Sequence, residues 1–199
     1  MASASSGQLG AAIYQRPVFW LIGFCVALGF NVAIILAICY PPHFISQGYS
    51  IAQAGWFVSA AGIAGLIGKG LFAWLADALR KHAKWVAAGV LLVQLCGMVL
   101  LVAADDATQV IPAICLLGLG GGAFLPTHPY LNSRYFDAAI IGRVNGAQMP
   151  LFLPFGLVGA PLAGYAFDQT GTYDSVLIGL AVMLGLAALL AIVLPGQEA

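Results

Sequence analysis

From Ala54 the chain reads AGWFVSAAGIAGLIGKGLFAWLADALRKHAK, and Lys69 is its only charge before Asp77. An apolar run of about twenty residues matches the roughly 30 Å of hydrocarbon in a bilayer. Within lipid the backbone must satisfy its own polar groups, so such a run is a membrane-spanning helix. Six runs of this kind succeed one another, over 17–39, 54–76, 85–104, 109–130, 144–167 and 175–194. The links are short: YPPHFISQGYS, DALRKHAK, DDATQ, NSRYFDAAIIGR and DQTGTYD. No segment alternates with a period of two over ten residues, which disfavours a membrane β-barrel. The expected fold is all-α: a polytopic membrane protein of six transmembrane helices over 17–194, flanked by tails 1–16 and 195–199.

Composition agrees. The residues are 62% hydrophobic and only 7% charged, against about 25% charged in a typical soluble domain. The formal net charge of zero offers nothing to a nucleic acid. Cys25, Cys39, Cys96 and Cys115 are scattered through apolar runs without paired spacing, so no metal site or cofactor is expected. The start, MASASSGQLGAAIYQR, lacks the basic, apolar and cleavage regions of a signal peptide.

The loop cations segregate. Arg16 precedes the first run, Arg80, Lys81 and Lys84 follow the second, and Arg134 and Arg143 follow the fourth; the opposite loops hold no Lys or Arg. The positive-inside rule then places both termini in the cytoplasm, in an integral protein of the inner (cytoplasmic) or plasma membrane.

The spans differ in character. The third and sixth are apolar on every face apart from Gln94, as suits a lipid-facing periphery. The first, second, fourth and fifth carry Asn31; Lys69; Pro126, Thr127, His128 and Pro129; and Asn145, Gln148, Pro150, Pro154 and Pro161. Prolines in membrane helices need neighbours or cavity water for the backbone groups they free, so these four spans are expected to line an interior. Pro41, Pro42 and Gly48 are expected to end the first span. Gly118–Gly122 and Gly142–Gly146 are small-residue pairs that permit close helix approach.

Individual residues carry two readings each. Lys69 either snorkels to the headgroups or binds an anionic substrate. Its Cα–Cβ bond tilts toward the helix N-terminus and so deeper into the membrane, where a lysine costs about 2.5–3.5 kcal/mol. Gly62, Gly65 and Gly68 lie on and beside its face. Asn31, Asn145 and Gln148 either line a substrate pathway or bond between helices. His128 is the candidate for proton coupling, because histidine titrates near neutral pH; the competing reading is an interfacial or capping residue. Asp77 and Arg80 form a topology-setting turn or a gate latch, and Pro150 and Pro154 a static bend or a hinge.

Several stretches resemble the C-terminal six-helix half of a major facilitator superfamily transporter, most closely the monocarboxylate and oxalate carrier branch. They are RPVFW at the first span, GKGLFAWLADALRKHAK, LLGLGGGAF followed by RYFDAAIIGRVNG, and GAPLAGYAFDQTGTY. The loop motif departs from the family at Ala73 and Ala78. The resemblance implies one repeat of a two-repeat fold, with substrate held between repeats near midplane. It therefore implies a second six-span half, as a separate chain or a second copy. Lys69 stands where the carboxylate carriers place an arginine thought to meet the substrate carboxylate.

The function expected is secondary transport of a small organic anion, a mono- or dicarboxylate, by alternating access. The alternative is a truncated or degenerate half without transport of its own, acting as a structural or regulatory membrane partner. No phosphate-binding loop supports ATP-driven transport. No Gly-x-Ser-x-Gly element supports an intramembrane hydrolase, and no catalytic residue is expected.

Overall fold

The computed structural model describes residues 13–196; the outer parts of the two expected tails, 1–12 and 197–199, and the signal-peptide reading made on the first of them, lie outside the described residues. From Pro17 onward, the described residues run through α1 (Pro17–Ser46), α2 (Ile51–Ala78), α3 (Ala83–Val102), α4 (Ala107–Phe124), α5 (Thr127–Tyr135), α6 (Ile141–Gln148), α7 (Leu153–Thr170) and α8 (Asp174–Val193). Short 3₁₀ turns occupy Arg80–His82 and Met149–Phe152. Among the described residues six segments are long and apolar enough to cross a membrane, the fifth being α6 and α7 taken together over Ile141–Thr170. The all-α, six-span architecture is the one expected of half a major facilitator fold.

Local chemistry sets the boundaries. Ser50 and Gln53 form a reciprocal capping box at the start of α2, with Gln53 N donating to Ser50 Oγ at 3.2 Å and Ser50 N to Gln53 Oε1 at 2.9 Å. Asp106 caps α4 by accepting from the backbone N–H groups of Thr108 and Gln109. Gly171 ends α7 with φ of 72°, a left-handed conformation that only glycine adopts without strain.

The first helix runs further than expected. It continues through Pro41 and Pro42 to Ser46 instead of ending at the prolines. An aromatic cluster holds this last turn: Tyr40 stacks on Phe44 at 5.7 Å, Phe44 meets Phe57 at 4.9 Å, and His43 meets Tyr173 at 6.4 Å. Packing on α2 and on the α7–α8 turn thus overrides the helix-ending tendency of the residue before proline.

The helices form an arc in which α2 packs on α4, α4 on α3, α3 on α8, α8 on α1, and α1 on α7. The third and sixth spans do present apolar residues outward, among them Leu92, Val99, Val182 and Leu189. The third is nevertheless not simply peripheral. Half of its apolar window is buried, because α3 is wedged between α4 and α8. The least buried spans are the second, at 17%, and the fifth, at 6%. These are the two ends of the arc.

Candidate functional site

The α2–α4 contact is made by absent side chains. A Cβ on Gly122 would overlap the backbone of Gly65, one on Gly118 the carbonyl of Ala61, and one on Gly68 the carbonyl of Leu119. The pair Gly118–Gly122 therefore does the work its spacing suggests. Gly142–Gly146 makes no such contact among the described residues, where a Cβ at either position meets nothing within 4 Å.

Beside this seam lies a cavity of about 500 Å³, whose walls include Tyr40 of α1, Gly62, Gly65 and Lys69 of α2, Gln94 of α3 and Gly121 of α4. Lys69 is exposed and has no hydrogen-bond or ion-pair partner among the described residues. Two other polar groups on the wall are buried without a partner, Tyr40 Oη and Gln94 Nε2. The walls are otherwise mainly aliphatic and glycine, so an anion entering here would meet a cation and few competing dipoles.

A second polar region forms where the fourth and fifth spans break. Pro150 has no N–H, so the carbonyl of Gly146 is instead taken by Met149 N; Pro154 likewise leaves the carbonyl of Pro150 to Leu153 N. These shorter bonds are the 3₁₀ turn between α6 and α7. In the fourth span the break falls at Leu125 and Pro126, where the Thr127 hydroxyl donates to the carbonyl of Ala123 at 3.1 Å.

The breaks are bound together by side chains. Gln148 Nε2 donates to the carbonyl of Phe19 on α1 at 2.8 Å, which fixes the orientation of the amide. Its Oε1 accepts from Asn132 Nδ2 at 2.7 Å and faces His128 Nε2 at 2.8 Å. His128 Nε2 must therefore carry the proton of this bond, leaving Nδ1 as the atom that would gain or lose one. Asn132 Nδ2 also donates to Asn145 Oδ1 at 2.6 Å. Asn31 Nδ2 donates to Ala27 O at 2.8 Å and to Phe152 O, in the 3₁₀ turn, at 3.0 Å.

The sequence-derived candidates thus fall into separate places. Asn31, His128, Asn145, Gln148, Pro150 and Pro154 gather at the helix breaks, with Asn31 and Gln148 fully buried. Lys69 stands apart, on the cavity. Asp77 and Arg80 are exposed at the end of α2. That end carries further tethers: Tyr130 Oη donates to Ala76 O at 3.2 Å, and Lys84 Nζ caps the end of α8 through Leu194 O at 2.9 Å.

A profile of the Major Facilitator Superfamily matches residues 13–199. The chain belongs to that superfamily. It is similar to monocarboxylate transporter 12 of Homo sapiens, 26% identical over 198 residues that cover 92% of this chain and 38% of that protein. The Mus musculus counterpart is also 26% identical, over 88% of this chain and 38% of its own length. A bacterial relative, the "Probable sulfoacetate transporter SauU" of Cupriavidus necator, is 26% identical over 90% of this chain and 44% of its length. The chain spans about two fifths of the length of these relatives. With six membrane-crossing helices, it is an integral membrane protein with the architecture of one superfamily half.

Gln94, Tyr40, Asn132 and Thr127 take part in these two regions without having been assigned a site role from sequence. For Gln94 a signal existed: it is the one amide in an otherwise apolar third span. Asn132 offered none, since it falls in a stretch that reads as a loop.

Proposed function

We propose that the chain is one half of a secondary carrier that moves a small organic anion, a mono- or dicarboxylate, by alternating access. The observation that carries the reading is Lys69: a membrane-embedded cation, unpaired among the described residues, on the wall of a cavity of about 500 Å³. An intramembrane lysine is expensive and marks a ligand or ion pathway. The names of the relatives, which refer to monocarboxylates and sulfoacetate, support an acidic solute.

A second six-span half covers the poorly buried second and fifth spans and closes the cavity. Both termini face the cytoplasm, as the cation distribution indicates. Within this scheme Asn31, Asn145 and Gln148 hold the helix breaks in register, and Pro150 and Pro154 supply the hinge. His128 would exchange a proton through Nδ1, and Asp77 with Arg80 would latch the α2 end against the partner half.

The test is equilibrium binding of pyruvate to the assembled carrier in liposomes. Lys69→Ala removes one charge-assisted contact, about 1.5–3 kcal/mol, so Kd rises about 10- to 150-fold. Unchanged affinity on folded protein would show that Lys69 only snorkels and would leave a half that partners another chain without binding solute.

A further inference from the structure

Gln94 lies on the helix expected to face lipid, yet it is only 2% exposed, its side-chain Nε2 has no partner, and the residue lines the Lys69 cavity. A glycine window lets it approach. A Cβ at Gly120 would overlap Gln94 Cγ and stand 2.9 Å from Gln94 N and 3.0 Å from Val90 O, so only glycine leaves room for α3 to press this close. At the next position, Gly121, which also lines the cavity, an added Cβ would have Gln94 Nε2 as its nearest contact, at 3.9 Å. The amide therefore lies against the glycine face of α4, at the edge of the cavity that Gln94 and Gly121 both line.

The level of the amide matters. Gly122 touches Gly65, and Lys69 lies four residues beyond Gly65, about 6 Å along α2 at 1.5 Å per residue. The lysine side chain leaves its backbone toward the helix N-terminus, back toward that level. A cation and an amide thus approach one stretch of the cavity from adjoining walls. A buried amide left unbonded is costly, and supplying its missing partner is what a ligand can do.

We propose that Gln94 is a specificity-determining residue: Lys69 holds the carboxylate while the Gln94 amide bonds a second oxygen-bearing group next to it. This rests on the carboxylate reading above. An acid with an oxygen-bearing group beside its carboxylate is then held more tightly than the same acid without it, and Gln94 sets that difference. Tyr40, whose hydroxyl is also unpaired, lies nearer the α1–α2 turn and is not needed for the pair.

The experiment compares equilibrium binding of pyruvate, L-lactate and propionate, the last lacking the second oxygen, to the assembled carrier in liposomes. The wild type is expected to prefer pyruvate and lactate by about 3- to 10-fold, the worth of one neutral hydrogen bond. Gln94→Leu should bring all three acids to the propionate value. Gly121→Ala, whose methyl group stands at ordinary contact distance from the amide, should lower the preference in a protein that keeps its helix packing. Gln94→Glu, which sets a carboxylate against the anion, should weaken all three. A wild type that binds pyruvate and propionate equally overturns the assignment, as does a Gln94→Leu protein that keeps the wild-type ratio. If Lys69→Ala still loses binding in those cases, the carboxylate site stands and only the role of Gln94 falls. A wild type that binds none of the three acids overturns both.

Discussion

The α2–α4 seam and the cluster joining α1, α5 and α6 handle polarity differently. At the seam, glycines bring two backbones together, and the polar groups nearby, Lys69 and Gln94 Nε2, are left without partners. At the cluster, Gln148 spends both ends of its amide on Phe19 O, Asn132 and His128, and Asn31 bridges to the 3₁₀ turn, while the acceptor oxygens Asn31 Oδ1 and Asn132 Oδ1 are left without partners among the described residues. Polar residues within membrane spans therefore do not form one class. Those whose amides donate across the breaks hold broken helices together, and a cation left open on a cavity wall is available to a solute. The sequence places Asn31, Asn145, Gln148 and Lys69 on an equal footing. Their partners separate them.

The comparison can be broken most forcefully at Gln148. Gln148→Leu keeps the approximate size but removes the partner of His128 Nε2, one of the two acceptors of Asn132 Nδ2, and the donor to the Phe19 carbonyl. The expected loss is about 2–4 kcal/mol, since each stranded buried group costs about 1–3 kcal/mol. Thermal unfolding of the purified protein in detergent measures it, and an unchanged melting midpoint would mean that the cluster is not holding the breaks. At the seam, Gly122→Ala drives a methyl group into the Gly65 backbone and should destabilise by about 1–3 kcal/mol. Gly146→Ala, in open space on α6, should instead stabilise by about 0.4–1 kcal/mol. The same melting assay reads both, and equal responses would erase the distinction between packed and open glycines.

Much of the fold was legible because bilayer thickness and backbone satisfaction leave few choices for an apolar run of this length. The Gly118–Gly122 spacing permitted a close contact that forms, while the identical spacing at Gly142–Gly146 permitted one that the described helices do not make. Spacing gives the possibility of approach; the partner helix decides it. Pro150 and Pro154 announced a bend, but its 3₁₀ form depends on which N–H reaches each freed carbonyl, and that is a property of the folded backbone. Pro41 and Pro42 misled because the aromatic packing around Phe44 is assembled from residues distant in the chain. Lys69 was visible as a lone charge in an apolar run. The approach of Gln94 to the same cavity was not, because it depends on Gly120 and Gly121 of another helix.

Substrate protection at two glycines tests the division between the regions most directly. Gly62 lines the Lys69 cavity and Gly146 lies on α6, within the turn that separates Asn145 from Gln148; an added Cβ meets nothing within 4 Å at either. Single cysteines introduced there, after replacement of the four native ones, would be alkylated in the assembled carrier with and without saturating pyruvate. Protection of Gly62→Cys with no change at Gly146→Cys is the predicted result. Protection at Gly146→Cys alone, or equal rates at both sites with pyruvate bound, would contradict it and place the solute elsewhere.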